Sequence, residues 1–190
     1  SSLAYLAAQW EQIPSHQRES FVGITGLCAR PDGQIMGDRY PYEPLDSTPA
    51  HTTRAMNIKG DKFGCQRIDV LREFPFPADI PGLVPEGIVW DRIANAGFRT
   101  RYVNEVVRIC HDSPQGLSRD RSTTALIDAA PGLYMLARSH VATWEPDQGI
   151  PQLLRASVNS SRFAAHARKR YGGAVLTRAR RQAASEQSGK

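Results

Sequence analysis

Apolar and polar residues fall in blocks along this chain, and the periods of those blocks predict a mixture of helices and strands. Leu3, Leu6, Ala7, Trp10 and Ile13 recur at helical spacing behind Ser2, a capping residue, and Pro14 stops the pattern. The run FVGITGLCA, Phe21–Ala29, is continuously apolar over strand length, as a strand covered on both faces would be. Arg30-Pro31-Asp32-Gly33 carries turn chemistry, so residues 34–40 are expected to return as the second strand of a hairpin. Residues 41–53 are polar and hold three prolines, which reads as a surface loop. Residues 69–72 fit a short helix, and Phe74-Pro75-Phe76-Pro77 must leave it extended, because proline excludes the helical region for its predecessor.

The next unit has the sharpest punctuation. Pro85 stands where helices favour proline at their first position, and Gly97 stands where they close. Val89, Ile93 and Ala96 form an apolar stripe between them. Residues 98–110 then read as a strand, with Val103, Val107 and Ile109 in one phase. A helix, a glycine and a strand in succession make an α/β connection, so the expected class is α/β. From Ser122 the texture becomes alanine-rich and helical, broken at residues 146–151 and at Gly172-Gly173, and the last ten residues read as disordered. The expected organisation is therefore an α/β domain over residues 1–121 and a helical basic extension over 122–190.

Composition narrows this picture only slightly. With 41% hydrophobic and 23% charged residues, the 190-residue chain has the make-up of a soluble globular domain. No stretch approaches the roughly 18–20 apolar residues that span a bilayer. The first residues lack the pattern of a signal peptide, and Ser1-Ser2 in place of Met points to a processed or fragmentary chain. Cys28, Cys65 and Cys110 lie far apart and odd in number, so they read as buried small residues in a reducing, cytoplasmic setting, with no disulfide framework or zinc site. The net charge of +5 is uneven: residues 162–190 carry eight Lys or Arg against Glu186 alone, leaving the first 161 residues at −2.

Glu86 is the candidate catalytic residue. Glu86, Val89 and Ile93 are spaced i, i+3, i+7, which puts the carboxylate on the side of the buried stripe. It also falls in a first turn, where unpaired N–H groups and the helix dipole favour negative charge. A partly desolvated carboxylate that stays ionised is suited to act as a general base toward a hydroxyl. The competing reading is structural, since glutamate is common in first turns for its dipole interaction alone.

The run FPFPADIPGLVPEGIVWDRIANAGFRTRYVNEVVRI resembles the C-terminal half of family 2 glycosyltransferases of the GT-A fold. In that family a loop with an acidic pair leads into a helix with a hydrophobic-aromatic-x-Arg pattern, then a glycine and a strand. Pro85-Glu86 stands at the acidic pair, residues 89–94 at the helix pattern and residues 97–106 at the turn and strand. The preceding GDKFGCQRIDVLREFPFP resembles the glycine-containing strand and R-x-x-x-L that lead to the family's phenylalanine loop. The likeness runs over residues 1–120 and is most specific at 60–110. It implies a partial GT-A sheet and transfer of a sugar from a nucleotide-sugar donor to a glycan, lipid-linked or other hydroxyl acceptor. Glu86 would be the base, and a divalent metal (Mn or Mg) would neutralise the departing diphosphate. The family has Asp where Glu86 stands, with another acid before it where this chain has Pro85. Its nucleotide-binding half and Asp-x-Asp motif are expected upstream of residue 1, the opening helix resembling the one that follows that motif.

Secondary candidates surround this core. The resemblance offers His111, just past the predicted strand, as a metal ligand; imidazole suits such ions, and a loop residue is the plainer reading. Lys62, between Gly60 and Gly64, is placed to contact a phosphate or to sit exposed in a turn, and Arg67 to serve similarly. Trp90 offers a platform for a sugar ring or a core side chain, and Arg92 a contact to substrate or a scaffold pair. In the tail, Phe163, Ala167 and Tyr171 beside Arg162, His166 and Arg170 form an amphipathic segment suited to the inner face of a membrane, or a solvated helix. Nucleic-acid binding lacks interleaved aromatics or a recognisable module. The alternative to an enzyme is a non-catalytic binding module whose basic tail contacts an anionic surface.

Overall fold

The computed structural model describes residues 1–111 and 122–185. The chain divides into two compact units, Ser1–Phe74 with Ile93–Ser113, and Pro75–Arg92 with Pro114–Lys190. They do not follow the expected 121/122 boundary, because residues 75–92 group with the helices.

The first unit is built on β1 (Phe21–Ala29), whose apolar run is buried almost throughout. A four-stranded mixed sheet forms around it in the order β2 (Leu45–Ser47), β4 (Arg99–Ile109), β1, β3 (Lys62–Gln66). β1 runs parallel to β4 and antiparallel to β3, and β2 runs antiparallel to β4. Helix α1 (Ser2–Glu11) packs Leu6 onto this sheet in a cluster with Ile13, Phe21, Ile24, Val103 and Val107. Its cap is Ser1, whose Oγ accepts from the Ala4 amide at 3.4 Å, one residue earlier than Ser2. Leu27, Tyr40, Leu45 and Tyr102 form a second cluster, with the two tyrosine rings 4.9 Å apart.

Two expectations fail here. The turn at Arg30–Gly33 forms, with Gly33 N–H donating to Arg30 O at 2.9 Å, but residues 34–40 pair with β1 as a strand only at the Ala29–Ile35 bridge. Both edges of β1 are already taken, by β4 and β3, so a hairpin partner has no edge left. The chain instead crosses to residue 59, where the Asp38 and Lys59 backbones pair at 2.9 Å. The segment 41–53 is likewise more than a loop. It supplies β2, with Leu45 fully buried, and a π-helical turn at His51–Ala55.

Inside the sheet, Arg101 of β4 is buried and meets Asp46 of β2 in two near-parallel bonds of 2.7 and 2.8 Å. The phase of β4 is as expected at Val103 and Val107, whereas Ile109, at the strand end, is half exposed. Cys28 is buried as expected, but Cys65 is exposed because β3 is an edge strand. Burial and the neighbouring Cys110 push the Cys28 thiol up to about 12. A raised thiol pKa means the unreactive protonated form persists through mildly alkaline solution. Iodoacetamide at about pH 8 is therefore expected to modify Cys65 in the folded chain and Cys28 only after denaturation. Peptide mass mapping checks this, and rapid labelling of native Cys28 would contradict it.

The second unit has its own core. α2 (Ile68–Glu73) precedes it, and α3 (Gly87–Asn95) leads through Gly97 to β4. α4 (Thr123–Asp128), α5 (Ala130–Ala142), α6 (Ile150–Tyr171) and α7 (Gly173–Ser185) follow. Ile80 and Ile88 pack with Ala130, Tyr134, Met135, Phe163, Ala167 and Leu176, which is why residues 75–92 belong with these helices. The expected breaks occur, the first shorter than 146–151 because α6 already begins at Ile150, and the second at Gly172 alone. Of the last ten residues, 181–185 are helical rather than disordered, and 186–190 lie outside the described residues.

Candidate functional site

Glu86 stands at the head of α3. The Ile88 amide bonds Pro85 O at 3.1 Å and the Trp90 amide bonds Glu86 O at 3.3 Å, so Glu86 is the capping residue and helical geometry begins at Gly87. That start lies two residues later than Pro85, where it was expected, and it changes where the carboxylate goes. The helical spacing to Val89 and Ile93 does not extend back to a capping residue, and Glu86 is exposed rather than turned to the buried stripe. The stripe itself is Ile88, Val89 and Ile93, while Ala96 is exposed. At the other end Gly97 adopts φ +92, with Phe98 N–H on Ile93 O at 3.2 Å and Gly97 N–H on Ala94 O at 3.0 Å. That paired closure needs a left-handed residue, which explains the glycine.

The other candidates near Glu86 have separate surroundings. Trp90 is half-buried, and Arg92 donates to Pro75 O at 2.8 Å, fastening the Phe-Pro loop. That bond is a scaffold contact, made to a carbonyl and not to the acids expected.

Lys62 and Arg67 belong to the sheet unit and are engaged by backbone. The Lys62 ammonium donates to Asp38 O at 2.8 Å and Lys59 O at 3.0 Å and lies 5.6 Å from the Tyr40 ring. Burial holds it below the ordinary lysine range. The flanking glycines do permit a close approach, but to the chain itself. A methyl at Gly60, which has φ +94, would lie 2.4 Å from Gly37 Cα, and one at Gly64 would lie 2.0 Å from Ile24 O. Lys62 therefore ties residues 38 and 59 together. Lys62→Met is expected to lower stability by about 1 kcal/mol by removing two exposed hydrogen bonds to Asp38 O and Lys59 O. A urea midpoint reads the effect. Arg67 is similarly engaged, bonding Asp69 at 2.5 and 3.1 Å and the carbonyls of Arg18, Glu19 and Phe21. The Asp69 bond raises the guanidinium pKa further and lowers that of the carboxylate.

His111 is exposed just past the end of β4. Among the described residues no three His, Cys, Asp or Glu side chains converge as a metal set. The described residues therefore do not by themselves assemble a site for the divalent ion that the resemblance implies. A cavity of about 320 Å³ opens in the sheet unit beside Arg30, Gly37, Gly60 and Asp61, and none of the candidates lines it.

One pairing was not anticipated. Asp91, 5% exposed, lies with Oδ2 3.2 Å from Nε2 of the half-buried His140, linking α3 to α5. The signal was present, since Asp91 follows Ile88 by three residues and so shares its buried side.

The fold is thus a mixed α/β sheet unit joined in sequence to a helical unit, with an exposed glutamate heading the helix that leads into β4. The chain matches no protein-family model, and no curated protein and no solved structure matches it significantly. Among the described residues no helix is long and apolar enough to cross a membrane.

Proposed function

We propose that this chain is the acceptor-side portion of a family 2 glycosyltransferase, with Glu86 as the general base. In the reaction, the acceptor O–H bond breaks and its proton passes to a Glu86 carboxylate oxygen. The acceptor oxygen forms a bond to the anomeric carbon of the donor sugar. The bond from that carbon to the nucleoside diphosphate breaks, and the diphosphate leaves with its electron pair.

The observation that carries this reading is the exposed carboxylate at the head of α3, in a fixed order of elements. Glycine-bearing β3 leads to the Arg67–Leu71 stretch, then to the Phe-Pro loop, then to Glu86, α3, Gly97 and the interior strand β4. Each step corresponds to one named in the sequence resemblance. Exposure alters the expected role in one respect. A carboxylate open to solvent can receive a hydroxyl directly, and the arriving acceptor must itself displace the water. The rival, a non-catalytic module, draws support from Lys62, Arg67 and Arg92, whose donors serve the backbone.

The test is release of nucleoside diphosphate from a panel of nucleotide sugars by the full gene product. Release that depends on a hydroxyl acceptor is expected. Donor binding without release under any acceptor would favour the binding module and overturn the transferase.

A further inference from the structure

The helix α6 has two apolar sides, and only one of them is used. Ala156, Phe163 and Ala167, spaced i, i+7, i+11, are buried at 7%, 7% and 0% exposure, and the last two belong to the core of the helical unit. Phe163 and Ala167 therefore cannot serve as the membrane-facing side expected from the sequence. Tyr171 is occupied as well, its hydroxyl donating to Asp128 O at 3.0 Å, and Arg170 bonds the Asp128 carboxylate at 2.9 Å.

The opposite side is unusual for a surface helix. Ile150, Leu154 and Val158, spaced i, i+4, i+8, are 66%, 61% and 65% exposed. They form a continuous aliphatic stripe along the first half of α6. Exposed Ala165 continues it, at i+7 from Val158. Arg155 and Arg162, one heptad apart and both exposed, run beside the stripe, and exposed Arg168 and Lys169 extend the same side toward the C-terminal end. Residues 150–185 hold eight Lys or Arg and no Asp or Glu.

We infer that this outer side of α6 docks on an anionic phospholipid surface, with Ile150, Leu154 and Val158 entering the headgroup–acyl boundary and the flanking arginines contacting lipid phosphates. Two observations select this occupant. The absence of any carboxylate over the two helices matches a uniformly negative partner. The aliphatic stripe matches a partner that also accepts apolar side chains, which a phosphate backbone does not. A single-stranded nucleic acid would further need exposed rings for stacking, whereas on α6 Phe163 is buried and Tyr171 half-buried. The inference does not depend on glycosyl transfer.

The experiment is flotation of the intact chain with vesicles of phosphatidylcholine, with and without phosphatidylserine, at low and high salt. Partition is expected only with the anionic lipid, and to fall as salt rises. Each basic residue near such a surface contributes about fivefold, so Arg155→Gln with Arg162→Gln should cut partition about 25-fold. Leu154→Ser with Val158→Ser should cut it at least about tenfold, with thermal unfolding unchanged because both side chains are exposed. Equal partition to neutral vesicles, or no loss in either double variant, would overturn the inference. So would tighter binding to an oligonucleotide than to anionic vesicles, or self-association that the serine pair abolishes.

Discussion

Under the proposed mechanism, Glu86→Gln is expected to lower glycosyl transfer by about 10²- to 10⁴-fold, the usual contribution of a positioned general base. The substitution keeps the size and hydrogen-bonding reach of the side chain and removes its ability to take a proton at neutral pH. Donor affinity should change little, because the carboxylate faces the acceptor in this mechanism and makes no donor contact. Stability should change little either. Glu86 is exposed, and its structural part in α3 is made by its carbonyl, which glutamine retains. An equilibrium titration with donor, beside turnover, separates the effects. Loss of donor binding together with turnover would move Glu86 out of the base role.

The largest stability effect is expected at Asp46. Asp46→Ala should destabilise the sheet unit by about 3–5 kcal/mol, the cost of leaving a buried charge without its partner. The Arg101 side chain is 9% exposed and its two bonds to Asp46 join β2 to β4. Without the carboxylate, the guanidinium keeps its charge, since the Asp46 bond and burial act on a group already far above neutral pH. Replacing both residues together, Asp46→Leu with Arg101→Met, should recover most of the loss, because a buried pair and a well-packed apolar pair are often equivalent. Denaturant unfolding of the three variants measures this. A double variant as weak as Asp46→Ala would mean that the pair contributes more than charge compensation.

These two sites also mark where sequence patterns stop being informative. β1 was legible because a strand covered on both faces leaves an unbroken apolar run, and α3 was legible because Gly97 must take a left-handed conformation. β2 was not, because its three residues are held by a partner strand 55 residues away, at Arg101, and nothing local among three prolines announces that. The hairpin after Gly33 failed for a similar reason, since competition for the edges of β1 is settled by β3 and β4. The engagement of Lys62 and Arg67 was not legible, because beside the local Lys59 carbonyl and Asp69 carboxylate they bond carbonyls 24 residues away for Lys62 and up to 49 for Arg67. The orientation expected for Glu86 was wrong, since it is exposed. A helix beginning at Gly87 makes a capping residue of what the spacing placed inside the first turn, and a capping residue does not follow the helical stripe.

The base role is tested most directly by transfer to acceptors of graded hydroxyl acidity, measured with wild-type protein and Glu86→Gln side by side. An acceptor that is already largely ionised needs no proton removed. The ratio of the two rates should therefore be large for an alkyl hydroxyl and fall toward one as the acceptor becomes a strongly acidic phenol. A ratio that stays constant across the series would contradict Glu86 as the base and leave it a structural residue at the head of α3.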